Sequence, residues 1–282
     1  MSGSAGKAQV RDTWESAAPG WAKWEEKFSA GLEDATDALL DMAGVAPGMR
    51  VVDLACGTGR QSLRAARRVG PAGRILAIDI SRSMVEHLRE NARRAGLHNI
   101  DAIERPVEDL DSIEGGYDAA ICRLGLMLFP SPSRALASVQ RILKPNARFA
   151  ALVFTTPAAN PFMARPMQLL LKLAGREPQL PGQPGLFALG GKETLERVMA
   201  DSGFTGLRTA IAQAPLRLSS ASEALEMMQE AFGAYRAVVA DLGEAEKAQA
   251  WAVVAECLKE FETNSGFETE LEFLICAGAK PC

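Results

Sequence analysis

The stretch Val51-Val52-Asp53-Leu54-Ala55-Cys56-Gly57-Thr58-Gly59 decides the fold of this 282-residue chain. Apolar residues lead into a turn of small residues, and a helical pattern follows over residues 60–69. A strand, a glycine turn and a helix in this order let the backbone approach a nucleotide-like ligand closely. About one helix and one strand later, Ile75 to Asp79 form a second apolar strand that ends in an acid, at the spacing that suits a ribose.

From Arg50 onward, the apolar pattern alternates between strands and helices. We predict strands at 50–54, 74–79, 100–104, 117–122, 147–154, 204–217 and 267–278, and helices at 60–69, 82–95, 132–143, 162–174 and 192–202. Alternation of this kind predicts a parallel sheet with helices on both faces. The strand cores are nearly continuous apolar runs, as expected for strands that are buried on both sides.

The remaining segments predict a cap. We divide the chain into 1–46, a tail (1–10) and a Trp-bearing helical lid broken at Pro19-Gly20; 47–154, the ligand-binding core; 155–190, an insertion with a Pro/Gly-rich loop at 178–185; 191–218 and 265–282, which complete the core; and 219–264, an insertion of two helices. Both insertions leave from carboxyl ends of strands, where open parallel sheets bind ligands. We therefore expect the cap to cover the ligand edge.

Composition excludes several classes of protein. A net charge of −4 and a pI near 5.5 argue against a nucleic-acid partner. Five scattered cysteines without a CxxC pair, and two histidines, do not predict a metal site. We expect neither a signal peptide, since residues 1–10 lack an apolar core region, nor a membrane span, since no apolar run reaches the length that one needs. We expect a cytoplasmic protein with reduced thiols, either monomeric or homodimeric.

The glycine turn and the acidic residues near it in the sequence resemble the motifs of a known family. Asp53-Leu54-Ala55-Cys56-Gly57-Thr58-Gly59, Asp79-Ile80-Ser81-x-x-Met84 and Lys144-Pro145 resemble the motifs of the class I S-adenosylmethionine-dependent methyltransferases. Within them, the chain looks most like the branch of the ubiquinone and menaquinone C-methyltransferases, over residues 40–155. The resemblance implies a Rossmann-like α/β fold with a seven-stranded, mostly parallel sheet, an antiparallel last strand, helices on both faces and a helical cap. A dinucleotide-binding dehydrogenase would more often show GxGxxG, which this turn lacks.

The resemblance also implies a set of cofactor contacts with S-adenosylmethionine, whose product is S-adenosylhomocysteine. The turn would approach the methionine moiety, Asp53 would orient the turn and the cofactor ammonium, and Asp79 would bind the ribose hydroxyls. The predicted cofactor residues are Asp53, Ala55, Cys56, Gly57, Gly59, Asp79, Ile80, Met84, Val107, Glu108 and Arg123. Arg123 is a candidate anchor for a carboxylate of cofactor or acceptor.

The sequence departs from the family pattern at three informative points. Ala55 replaces the first glycine, which is harmless if its φ is negative. Pro106 stands where an aspartate often receives the adenine amino group, so that contact is lost or moved. Arg123-Leu124-Gly125-Leu126 replaces the Asn-Pro-Pro-Tyr motif of amino-methylating relatives, which argues against methylation of an amide or adenine nitrogen.

The acceptor site carries no readable motif. Candidate pocket residues are the aromatic and methionine side chains expected at the ligand edge: Trp14, Trp21, Trp24, Met127, Phe129, Phe162, Met163, Phe187 and Tyr235. No general base stands out, and Tyr235 and Glu230 are the acid/base candidates to test first.

The sequence therefore predicts transfer of a methyl group to the carbon, oxygen or sulfur of a small, partly apolar acceptor. Alignment and exclusion of water would supply the catalysis. Two alternatives stay open. One is a protein of the same fold that binds the cofactor but catalyses a cyclisation or rearrangement, and the other is a binding or regulatory module.

Overall fold

The computed structural model describes residues 4–177 and 183–282. Its strands are β1 Arg50–Leu54, β2 Arg74–Asp79, β3 Ile100–Glu104, β4 Tyr117–Arg123, β5 Leu143–Phe154, β6 Thr205–Leu218, β7 Glu262–Thr263 and β8 Gly266–Ala279. They form one sheet in the order β3-β2-β1-β4-β5-β8-β6, and β7 pairs only with β8. The strands β1 to β5 pair in parallel, whereas β8 is antiparallel to β5 and β6. The predicted sheet is confirmed, with the two-residue β7 in addition.

The helices surround this sheet. They are α1 Ser4–Ala30, α2 Glu33–Met42, α3 Arg60–Val69, α4 Arg82–Arg94, α5 Pro132–Ile142, α6 Pro161–Leu173, α7 Lys192–Asp201, α8 Ala221–Ala231, α9 Gly233–Val238 and α10 Glu244–Leu258, with 3-10 turns at Leu126–Leu128 and Lys259–Phe261. The central strands are apolar because both faces are covered, and Val51, Ile75 and Ile121 are fully buried. Within the described ranges, no helix combines the length and apolarity needed to cross a membrane.

The N-terminal segment differs from the prediction. Helix α1 begins at Ser4 and passes through Pro19-Gly20 without a break, so both the expected tail, where it is described, and the expected interruption are wrong. Contact with α8 explains the continuity, because a Cβ on Gly20 would lie 2.1 Å from the carbonyl oxygen of Glu230. Tertiary packing thus outweighs the local cost of proline in a helix.

The insertions also differ in detail. Residues 219–264 contain three α-helices instead of two, because Phe232 leaves the helical region with a ψ of 83° and separates α8 from α9. Ser220 caps the start of α8, since its hydroxyl accepts the Glu223 N–H at 3.2 Å. Of the predicted loop at 178–185, residues 178–182 lie outside the described part of the chain.

Candidate functional site

Asp79 connects the glycine turn to the start of α4 through hydrogen bonds. It ends β2 and accepts the N–H of Gly57 with one oxygen and the N–H of Ser81 with the other, both at 2.9 Å. Ser81 in turn caps α4 by accepting the Met84 N–H at 3.2 Å. Burial raises the pKa of Asp79, and the hydrogen bonds from the backbone of Ser81 and Gly57 oppose that rise.

Asp53 supports the turn from below. It is fully buried and accepts hydrogen bonds from the Ser62 hydroxyl and from Gln61 Nε2, the latter at 3.4 Å. Gln61 also donates to the carbonyl oxygen of Cys56 at 3.1 Å. Burial raises the pKa of Asp53 to about 7. Asp53 therefore holds Gln61 and the turn, and it does not line the cavity described below.

The turn is a backbone cradle with left-handed residues. Gly57 has a φ of 54° and Gly59 a φ of 97°. Gly59 faces Leu88, whose Cγ would lie 2.4 Å from an added Cβ. Although Gly59 is one of the predicted cofactor residues, it does not line the cavity described below. Ala55 has a φ of 51°, so the negative φ under which this replacement would be harmless is not found. An L-residue in this region costs about 1–2 kcal/mol.

A large cavity opens above the turn at the carboxyl edge of the parallel strands. Its empty volume is about 1250 Å³, including open solvent at its mouth. It is lined by residues that follow β1 to β5, by α1, and by both insertions.

Most of the predicted residues meet in this cavity. From the cofactor set it is lined by Ala55, Cys56, Gly57, Asp79, Ile80, Met84, Val107, Glu108 and Arg123, and from the acceptor set by Trp14, Trp21, Met127, Phe129, Met163 and Tyr235. Pro106 lines it too, beside Val107 and Glu108. Residues from distant parts of the sequence thus converge because parallel strands end at one edge.

Besides Asp53 and Gly59, four of the predicted residues lie outside the cavity. Trp24 turns away toward α8, where its Nε1 donates to Glu230 Oε2 at 2.5 Å. Glu230 also pairs with Lys23 at 2.8 Å, so this acid/base candidate joins two helices instead of lining the cavity. Phe162 packs against the rings of Phe261 and Phe267, and Phe187 packs against Phe154; neither lines the cavity.

Tyr235 lines the cavity, but its hydroxyl is already engaged. The Oη atom donates to the carbonyl oxygen of Met163 at 2.6 Å. Burial raises the pKa of the phenol above its ordinary value. Because the proton is held by a backbone oxygen and the phenolate is disfavoured, Tyr235 is poorly suited to act as a base.

Aromatic residues of the cap segments form one wall of the cavity. Trp21, Phe28 and Phe232 form a triangle of rings with centroids 5.3–6.1 Å apart, and Tyr235 extends it from Phe232 at 5.4 Å. Such tilted and edge-on contacts stabilise aromatic clusters. The wall joins α1 to α8 and α9, so it exists only in the folded protein.

Several lining residues were missed by the sequence prediction. Val10, Glu25 and Phe28 share one face of α1 with Trp14 and Trp21, at helical spacings of three, four or seven residues. That periodicity could have identified them once α1 was known to be unbroken. Gln61 and Phe232 carry no comparable signal in the sequence.

Helix α1 is fastened beside the Asp79 loop. Glu15 accepts hydrogen bonds from the Ser81 hydroxyl at 2.6 Å, from the Ser83 N–H at 3.2 Å and from the Ser83 hydroxyl. Burial alone would raise the pKa of Glu15, but these hydrogen bonds outweigh it and lower the pKa. The contacts hold the Trp-bearing face of α1 over the cavity.

The residues present fit S-adenosylmethionine. Gly57 lines the cavity without a side chain, and Trp21 Nε1 would lie 3.7 Å from a Cβ there, so the turn and Trp21 bound the same space. Asp79 offers a carboxylate, Ile80 and Met84 offer apolar contact for a flat base, and Glu25 and Arg123 offer charges of both signs.

Comparison with known proteins agrees with this geometry. A family model described as a methyltransferase domain matches residues 46–172. The ubiquinone/menaquinone biosynthesis C-methyltransferase UbiE of Erwinia tasmaniensis is 30% identical over 208 residues, which cover 69% of this chain and 82% of the relative. The 2-phytyl-1,4-naphtoquinone methyltransferase of Nostoc sp. is 31% identical over 55% of this chain and 68% of its own length.

Solved structures share the fold. The [4+2]-cyclase SpnF superposes with a TM-score of 0.61 over 98% of this chain and 97% of its own, at 19% identity. The motifs, the sheet order and the relatives lead to one conclusion. The chain is an enzyme of the class I S-adenosylmethionine-dependent methyltransferase family, in the branch that resembles the ubiquinone and menaquinone C-methyltransferases.

Proposed function

We propose that this methyltransferase acts on a small, partly apolar molecule and methylates a carbon, oxygen or sulfur that is already nucleophilic. The observation that carries the proposal is the wall of Trp21, Phe28, Phe232 and Tyr235, which lines the same cavity as the glycine turn. A flat or apolar acceptor would bury its surface against these rings, at about 25 cal/mol for each Å² removed from water.

On the cofactor side of the cavity, we propose that the parts of S-adenosylmethionine bind along the carboxyl ends of successive strands. Asp79 at the end of β2 binds the ribose hydroxyls, Ile80 and Met84 enclose the adenine, and Val107 and Glu108 lie at its edge. The backbone of the turn approaches the sulfur. Bound S-adenosylmethionine supplies an electrophilic methyl group on a sulfonium.

The chain contributes alignment and a dry site. Tyr235 is held by the Met163 carbonyl, and burial keeps the Cys56 thiol protonated by raising its pKa well above the ordinary value. Neither side chain is therefore suited to remove a proton. An in-line transfer to a phenolate, a thiolate or an electron-rich ring carbon needs little base assistance, and holding the reacting atoms in line is worth several kcal/mol, up to about 7–11.

The names of the relatives favour carbon among the three acceptor atoms. By name, the first relative is a C-methyltransferase of ubiquinone and menaquinone biosynthesis and the second is a naphthoquinone methyltransferase. A hydroquinone is a flat, electron-rich acceptor that suits an aromatic wall. The cytoplasmic location, the monomeric or homodimeric state and the absence of a nucleic-acid partner stay predictions from the sequence. So does the division of the chain at 1–46, 47–154, 155–190, 191–218, 219–264 and 265–282.

The test is incubation of the purified protein with methyl-labelled S-adenosylmethionine and a panel of hydroquinones, phenols and thiols of graded apolarity. We expect label in one or more apolar products and none in polar analogues. Asp79→Ala should abolish the transfer, whereas Asp101→Ala, at an exposed carboxylate on β3, should leave it unchanged.

Two results would contradict the proposal. If only strongly polar acceptors were labelled, the assigned wall would be wrong. If the cofactor bound without being consumed while an acceptor rearranged, the enzyme would catalyse the alternative cyclisation or rearrangement, with the cofactor as a fixed charge.

A further inference from the structure

A buried carboxylate lies on the cavity face of α1. Glu25 is 7% exposed, and among the described cavity residues of α1 it alone carries a charge, between Trp21 and Phe28. Its Oε1 accepts the N–H of Arg60, the first residue of α3, at 3.3 Å. Burial of a carboxylate is costly unless it is paired, and a single long hydrogen bond leaves most of its accepting capacity unused.

A buried guanidinium at the end of β4 lines the same cavity. Arg123 is 7% exposed and donates only to two neutral hydroxyls within the described residues, those of Thr36 at 3.3 Å and Ser29 at 3.4 Å. A guanidinium has five N–H donors in a planar fork. The remaining donors have the cavity beside them, because Arg123 is one of its lining residues.

Glu25 and Arg123 are neighbours without being an ion pair. Ser29, which Arg123 contacts, follows Glu25 by one helical turn on the same face of α1. Burial lowers the pKa of Arg123, and the charge of Glu25 opposes that change. Within the described ranges, no nitrogen of Arg123 comes within 4.0 Å of a carboxylate oxygen, so the two opposite charges line one cavity without forming an ion pair.

The order of the strands orients a cofactor toward this pair. β1 lies between β2 and β4, so Asp79 and Arg123 end strands that are two positions apart. Two strand spacings amount to about 10 Å. A nucleoside whose ribose is bound at Asp79 and whose chain crosses the glycine turn therefore extends its far end toward Glu25 and Arg123.

We propose that Glu25 and Arg123 form a two-charge clamp for the amino-acid head of the cofactor, in which Glu25 binds the ammonium and Arg123 binds the carboxylate. The inference rests on the proposed cofactor orientation. It assigns a binding role to Glu25 on the N-terminal helix, and it makes α1 a cofactor-sensing element as well as an acceptor wall. Because the Glu25 carboxylate shares a helix face with Trp14 and Trp21, the head group would fix the wall that contacts the acceptor.

The experiment compares two ligands by calorimetry. S-adenosylhomocysteine carries the amino-acid head, whereas 5′-deoxy-5′-methylthioadenosine keeps the adenine, ribose and sulfur but lacks it. We expect Glu25→Gln and Arg123→Met each to weaken the binding of S-adenosylhomocysteine by at least about tenfold, as for the loss of a charge-assisted hydrogen bond. Each should change the affinity for methylthioadenosine by less than about twofold. Met preserves the volume of a buried cation.

The controls separate the possible failures. Glu26→Gln, on the exposed side of the same helix, should change neither affinity. Equal losses for both ligands, or no loss for S-adenosylhomocysteine, would overturn the clamp, as would an effect at Glu25 without one at Arg123. If the unchanged protein bound neither ligand, the proposed cofactor site itself would be wrong. Thermal melts of each variant identify any that fail to fold.

Discussion

Asp53 offers the sharpest test of the site, because the free-energy cost of burying it depends on its charge. The side chain is fully buried, its partners are the neutral groups of Ser62 and Gln61, and burial raises its pKa from 3.8 to about 7. Asp53→Asn keeps the shape of the side chain. Its amide oxygen can accept from Gln61, and its NH₂ can donate to the Ser62 hydroxyl, which rotates to accept.

The direction and size of the effect follow from linkage. Between pH 4 and 7 the unfolded chain has lost the proton that folded Asp53 keeps, so the free energy of unfolding falls as the pH rises and levels off above pH 7. A pKa that rises from 3.8 to about 7 corresponds to on the order of 4 kcal/mol, at about 1.4 kcal/mol for each pH unit. Because Asn does not titrate, this fall in the free energy of unfolding is absent from Asp53→Asn.

The assay is urea unfolding at intervals from pH 4.5 to pH 8.5. We expect the stability of Asp53→Asn relative to the unchanged protein to increase by a few kcal/mol across this range and to be constant above pH 7.5. Asp101→Asn, at an exposed site on β3, serves as the control and should show no comparable trend. A difference between Asp53→Asn and the unchanged protein that does not vary with pH would refute the reasoning.

Three further predictions follow from single contacts. Asp79→Ala should weaken S-adenosylhomocysteine by at least about a hundredfold, because the two charge-assisted hydrogen bonds that hold the turn are lost along with those to the ribose; unchanged affinity in calorimetry would contradict this. Ala55→Gly should raise the free energy of unfolding by up to about 1 kcal/mol, since it relieves a left-handed alanine at about 1–2 kcal/mol but adds freedom to the unfolded chain at about 0.4–1 kcal/mol; a lower urea midpoint would count against it. Gly20→Ala should lower stability by about 1–3 kcal/mol, because the new Cβ meets the Glu230 carbonyl; a melting temperature equal to that of the unchanged protein would show that α1 and α8 pack less closely.

The cofactor half of the cavity was readable because its residues are close in sequence. β1, the turn, α3 and β2 occupy one continuous stretch, Arg50 to Asp79, and their predicted bounds match the observed ones. Here the local rules of strand burial, small turn residues and a terminal acid all favour the same structure. Even so, the φ of Ala55 could not be read from the sequence, since the turn closes only when Asp79 holds Gly57.

The acceptor half was readable only in part. Trp21 and Trp24 look equivalent in the sequence, yet three residues along a helix turn a side chain by about 60°. That angle places Trp21 in the cavity and Trp24 against Glu230 on α8. Phe162 and Phe187 were reasonable candidates by residue type, but their positions depend on how α6 and the loop after it pack.

The sequence by itself determined the sheet, the glycine turn and the acid that follows it, because each depends on contacts within a few tens of residues. Only the tertiary structure decided what faces that turn. It joined α1 to α8 through Gly20, brought Glu25 and Arg123 to one cavity, and built the wall of Trp21, Phe28, Phe232 and Tyr235. The physical reason is that burial of distant apolar surfaces, rather than local propensity, fixes those contacts.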